Sequence, residues 1–299
     1  MGRHVRRLKT ILVATALEIL SEPLSLLILL SAFVLAVLTP AFHYHQFGEA
    51  TRMARDAGLS ALFTCGSAVA IFGTIRTFRR EIETGTLAMT LAHPVSRSLF
   101  FLAKTVGAIL ALFIFDLTVF GAAVVVVAGA AVGGEIAAKT GDVARLWGPA
   151  FAAGVGVIVV PLAAAAALNR FARVRFVLSA TLLALGLSVL SAAGAAVLEP
   201  KWVLRFLSAA LPVLVLSSVY LAAAAAFAVR FAASAAASAA GLVVAASLPV
   251  VGNYYLADAL SHGGCVPVSY LLFALLAAVP ALALFVLLGI HFANGRDIS

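Results

Sequence analysis

Charge is scarce in this chain. Of 299 residues, 11% are Asp, Glu, Lys or Arg, and only twelve of these are acidic. An ordinary soluble domain carries roughly 25% charged residues, and no segment here is long and polar enough to fold as a separate soluble unit. Cysteine is limited to Cys65, in an apolar run, and Cys265, in a polar loop. They read as two unpaired thiols, since a bridge needs both at one membrane face with close Cα atoms. The chain contains no G-x-x-x-x-G-K-[ST] run, so it has no Walker A phosphate cradle and is not expected to hydrolyse ATP by itself. It also lacks H-E-x-x-H, a paired carboxylate and a nucleophile motif in its apolar runs, which argues against a membrane enzyme.

What fills the chain is apolar sequence, 64% of all residues. Runs of about 20 apolar residues recur along the whole length, the mark of transmembrane helices. The expected fold is a single all-α polytopic bundle over 1–299, with about eight spans: 24–42, 58–78, 98–132, 148–168, 176–198, 206–229, 232–250 and 270–292. The Ala-rich region 206–250 suits close helix packing, and six spans plus a re-entrant pair is the alternative. Residues 1–22 read as an amphipathic helix lying in the interface. Leu8, Ile11, Leu12, Thr15 and Ile19 share one face, and Arg7, Thr10, Ala14 and Glu18 the other. Ser21-Glu22-Pro23 then gives a cap and a break, and the alternative is one long tilted span over 11–38, against which Pro23 argues. Pro23 leads into a full-length span without a clear cleavage site, so this start is not expected to be a signal peptide.

The net charge of +8 resides in short loops, which fits bilayer orientation and not a nucleic-acid face. With the N-terminus inside, the inner segments hold fourteen Lys and Arg and the outer loops six, the latter balanced by acids. Both termini are therefore expected in the cytoplasm, with Arg3, Arg6, Arg7 and Lys9 against anionic headgroups.

The longest polar interruption is 76–104, RTFRREIETGTLAMTLAHPVSRSLFFLAK, with five of the twenty basic residues. Gly85 can end a helix in the left-handed region. Thr86 can cap a short helix from Leu87 to Ala92, His93-Pro94 ends it, and Ser96 can cap the next. Glu81 and Glu83 are acids that topology does not require, which suggests a protein partner.

This stretch resembles the cytoplasmic loop of ABC-2-type transporter permeases, of the form R-E-x-E-x-G-T-L…x-P-V-S-R…x-x-x-K. The matching residues are Arg80, Glu81, Glu83, Gly85, Thr86, Leu87, Pro94, Val95, Ser96, Arg97 and Lys104. The amphipathic start looks like that family's elbow helix, and LPVVGNYYLADAL (248–260) with the last span and an RD-containing tail also looks familial. The middle departs from it, with two spans more than the six of many members. The resemblance implies a permease subunit in a bacterial inner membrane, paired with a second permease. ATPase subunits would carry the ATP and Mg, and the segment near Glu81–Pro94 would be the coupling helix seated on the ATPase. No cofactor is expected in this chain.

Three further candidates stand outside the motif. Asp116 lies well inside the third span, where a carboxylate is costly and faces a helix interface or a wet cavity. It reads either as a pathway residue or as a protonated or hydrogen-bonded structural acid. His43 and His45 form an H-x-H pair at the outer end of the first span. Two such ligands could begin a metal site, but no Cys- or Met-rich cluster accompanies them, so no metal is expected. Arg170, Arg173 and Arg175 are most simply orientation signals. The alternative function is a polytopic enzyme or metal-handling protein using Asp116 or the outer histidines.

Overall fold

The computed structural model describes residues 2–41, 50–84, 96–140, 148–198, 200–251 and 268–295. All regular structure in these residues is helical. The elements are α1 (Gly2–Leu20), α2 (Pro23–Ala41), α3 (Ala50–Ala68), a π turn (Val69–Gly73), α4 (Thr74–Glu83), α5 (Arg97–Thr140), α6 (Gly148–Ala172), α7 (Phe176–Leu198), α8 (Pro200–Arg230), α9 (Ala233–Val251) and α10 (Val268–Asn294).

Six stretches are long and apolar enough to cross a membrane, and a seventh arises if the bent pair α1–α2 counts as one. This is a multi-pass α-helical membrane bundle. Of the eight expected spans, 232–250 corresponds to the shorter apolar helix Ala233–Ser247. The turn before it falls at Phe231 and Ala232, directly after Arg230.

α1 and α2 meet at 58° across the Ser21–Glu22 break. Pro23 has no N–H to continue an incoming helix but suits the first turn of an outgoing one. The inner face of α1 is the expected one: Thr15, Ala16, Ile19 and Leu20 are buried, while Val13 and Leu17 are exposed.

Three helices are longer than their hydropathy indicated. α3 begins at Ala50, so half of the expected 43–57 loop is helical. α8 begins at Pro200, where proline again occupies a first turn. α5 runs 44 residues to Thr140, about 66 Å at 1.5 Å per residue. It takes in Gly133, Gly134 and Glu135, which we expected in a loop. A glycine costs a helix interior about 1 kcal/mol, and tertiary contacts override so small a penalty.

α5 is the central element. It packs against α1, α3, α6 and α7, and also touches α2, α8 and α10. The main core joins Leu20, Phe33, Leu62, Phe115, Phe120 and Phe206 from five helices. A second cluster joins Phe78 and Phe101 to the alanine faces of α8 and α9. Small residues set the approach distance. A Cβ on Gly107 of α5 would lie 2.5 Å from the Leu12 carbonyl oxygen of α1, so the two backbones touch there.

Candidate functional site

α4 continues α3 through the π turn and carries the polar sequence to the end of the bundle. An α-helix turns 100° per residue, so successive side chains of α4 face different neighbours. Three faces of α4 are each fastened by ions.

The first face meets α1. Arg76 Nε lies 2.5 Å from Glu22 Oε1, and Arg80 Nη1 lies 3.9 Å from Glu18 Oε1. Arg76 and Arg80 are four residues apart on α4, and Glu18 of α1 and Glu22 of the break that follows it are four apart in sequence, so one register satisfies the two pairs together. The second face meets α5. Lys104 has no exposed surface, and its Nζ lies 2.5 Å from Glu81 Oε2. The same ammonium donates to the Thr77 carbonyl oxygen at 3.0 Å and stands 4.9 Å from the centre of the Phe78 ring. The third face meets the turn after α8. Arg79 donates to the Phe231 carbonyl oxygen at 3.3 Å and pairs with Glu83 at 3.0 Å.

These contacts differ in weight. Exposed pairs such as Arg80–Glu18 contribute about 0–1 kcal/mol. Removing one partner of a buried pair costs about 3–5 kcal/mol, because the other charge is left unpaired in a low dielectric. In Lys104–Glu81 the cation is fully buried while the carboxylate is 29% exposed, and the pair locks α4 to α5.

The structure divides the motif residues. Glu81 and Lys104, 23 positions apart, face each other inside the bundle. Arg80 and Glu83 point outward, with side chains 68% and 60% exposed. Ser96 accepts the Leu99 N–H at 3.3 Å and caps α5, as expected. Arg97 opens that helix. Helix α4 ends at Glu83, where Thr84 donates both its N–H and its hydroxyl to the Arg80 carbonyl. Gly85, Thr86, Leu87, Pro94 and Val95 lie outside the described residues.

Sequence reading missed Glu18 and Glu22 as parts of this site. Glu18 was placed on the polar face of α1, and Glu22 in the break. The signal was present: two acids four apart in a basic segment, matched by Arg76 and Arg80 four apart.

Asp116 is buried at 1% exposure. Neither of its carboxylate oxygens has a hydrogen-bond partner among the described residues. The hydroxyl of Thr118 does not serve it, since it donates to Ile114 O of its own helix at 2.7 Å. The group facing Asp116 is Gly66 of α3, where a Cβ would lie 2.5 Å from Oδ1.

Cys65 is buried with a free thiol. Cys265, His43 and His45 lie outside the described residues, and among those described no three His, Cys, Asp or Glu come together as a metal site would need. Arg170, Arg173 and Arg175 are exposed at the α6–α7 turn, and Arg173 has a positive φ of 53°. An apolar cleft of about 240 Å³ opens between α8, α9 and α10, lined by Pro212, Leu216, Val219 and Ala278, with the Tyr220 and Ser247 hydroxyls paired in its wall.

No family model, curated protein or solved structure matches this chain. The reading of its function rests on its own residues.

Proposed function

We propose that this chain is the membrane-spanning permease subunit of an ABC-2-type transporter. A separate ATPase subunit, carrying ATP and Mg, binds the face around Glu83 and the segment that follows it. A second permease subunit completes the membrane unit, and both termini lie on the cytoplasmic side of a bacterial inner membrane. The chain itself performs no hydrolysis.

The observation that carries this reading is the fastening of α4. Its outer tip bears exposed Arg80 and Glu83, while its inner faces are bound by ions to α1, α5 and the α8–α9 turn. A push on that tip is passed to three membrane elements as a rigid-body shift, because packed helices move as units. Attachment of a polar projection this firmly suits a part that receives force from a partner. The motif residues and the excess of Lys and Arg in the segments assigned to the cytoplasm support the same reading.

The test is purification from native membrane in mild detergent, with mass spectrometry of the proteins retained. A Walker-A-bearing ATPase at about one copy per permease is the expected companion. Its absence under mild conditions removes the support for ATPase coupling and turns attention to Asp116.

A further inference from the structure

We propose that Asp116 and Gly66 form a proton-binding site between α3 and α5, filled while the two helices are packed and emptied when they part. The inference stands whether or not an ATPase binds the chain.

The geometry argues as follows. Asp116 is the twentieth residue of α5, deep in a candidate span, and both its oxygens are unpartnered among the described residues. A carboxylate cannot remain there as a bare anion, because an unpaired charge in an apolar interior is far costlier than a neutral polar group. A metal or alkali cation needs several oxygen ligands, and a single carboxyl against a glycine does not supply them. The one ligand that a lone carboxyl can hold by itself is a proton. Gly66 leaves room for the carboxyl and for little else, since a Cβ there would lie 2.5 Å from Oδ1.

Among the described residues the surroundings hold no fixed counter-charge. From α3 the titratable neighbour is Cys65, while Arg52, Arg55 and Asp56 of that helix lie ten or more residues earlier, roughly 15 Å or more along the axis. On α5 itself Lys104 is roughly 18 Å away along the axis and engaged by Glu81. From α1, Glu18 sits at the Lys104 end of the bundle. α2 and α7 contribute no ionisable side chain within their described lengths. α6 carries Arg170 in its last turn, and α10 carries His291 in its last turn. α8 has Lys201 and Arg205 at one end and Arg230 at the other, and its Tyr220 stacks edge-on against Phe63 of α3 while paired with Ser247.

A second, independent feature adjoins the site. The π turn Val69–Gly73 begins three residues after Gly66 and joins α3 to α4. Such turns loosen the helical ladder and recur at functional positions. Rotation about this turn is how movement of α4 would part Gly66 from Asp116. Parting admits water, the acid releases its proton, and the carboxylate remains solvated until the helices close again.

The experiment uses the full chain in lipid nanodiscs. Infrared spectra of wild type and Asp116→Asn at neutral pH should differ by the carbonyl stretch of one un-ionised carboxylic acid. Dicyclohexylcarbodiimide, which requires a protonated carboxyl in an apolar setting, should leave its adduct on Asp116 in peptide maps. A water-soluble carbodiimide should not. The packed state favours the neutral acid, so raising the pH favours separation. The thermal midpoint of wild type should therefore fall with rising pH relative to that of Asp116→Asn. Wild-type spectra without the acid band, peptide maps without the adduct, or parallel pH profiles overturn the proposal. If Asp116→Asn does not fold, the wild-type adduct map and its pH dependence decide alone.

Discussion

Lys104 Nζ and the Phe78 ring stand 4.9 Å apart, with the Thr77 carbonyl and the Glu81 carboxylate closing the remaining sides of the ammonium. One cation thus engages a ring, a backbone oxygen and an anion on consecutive turns of α4. Each contact would be modest alone, but together they satisfy a charge that has no access to water, and they set both the rotation and the height of α4 on α5.

Removing that cation should be severe. Lys104→Ala removes the salt bridge to Glu81 together with the buried packing on Phe78, and we expect a loss of about 3 kcal/mol. Replacing both partners with apolar residues, as in Lys104→Met with Glu81→Leu, should recover much of it, since no buried charge then remains. Thermal unfolding of the single and double variants in one detergent checks both. Equal destabilisation by Lys104→Ala and the double variant would contradict the assignment.

Glu83 should behave differently from Glu81. Its own side chain is 60% exposed, though its partner Arg79 is only 18% exposed, so Glu83→Arg is expected to cost about 1 kcal/mol of stability. The same charge reversal should abolish retention of the ATPase in the pull-down. A variant that keeps both its fold and its ATPase would place the partner surface elsewhere.

The α1–α4 register should respond to charge exchange. Glu22→Arg opposes Arg76, and Glu22→Arg with Arg76→Glu restores an attractive pair. We expect the single variant to increase protease cleavage near residues 1–22, and the exchange to return it towards wild type. Failure of the exchange to rescue would mean that Glu22 acts through its position before Pro23 and not through Arg76.

Gly107 should tolerate no larger residue. Its Cβ would press on the Leu12 carbonyl, which is backbone and cannot swing aside. Overpacking of this kind costs about 1–3 kcal/mol. Gly107→Ala should lower the thermal midpoint, whereas Gly156→Ala, at a position open for 4 Å around, should not. Comparable midpoints for the two variants would argue against the close α1–α5 contact.

Orientation is testable from one exposed turn. Arg173→Cys, in a variant lacking Cys65 and Cys265, should be labelled by an impermeant maleimide only in inside-out vesicles. Labelling in right-side-out vesicles would reverse the topology.

The fold class was legible because it depends on local composition. Apolar runs of span length and near-absence of charge leave few alternatives to a membrane helix bundle, and proline at 23 marked the α1–α2 break through its missing N–H. Helix ends were less legible. α5 continues through Gly133 and Gly134, and α3 starts eight residues before its apolar run, because helices are extended by neighbours that hydropathy does not count.

The site divides in the same way. Arg80, Glu81, Glu83, Ser96 and Lys104 could be singled out from sequence, since polar residues between spans are few. Their roles could not. Only tertiary packing turned Glu81 inward to Lys104, left Glu83 outside, and brought Glu18 and Glu22 from the start of the chain to Arg80 and Arg76. An ion pair depends on distance in space, and the sequence alone determines that these charges exist in membrane-adjacent segments. Which of them meet was decided by the approach of α1 and α5 to α4, down to the backbone contact that Gly107 permits. The same approach isolated Asp116 against Gly66.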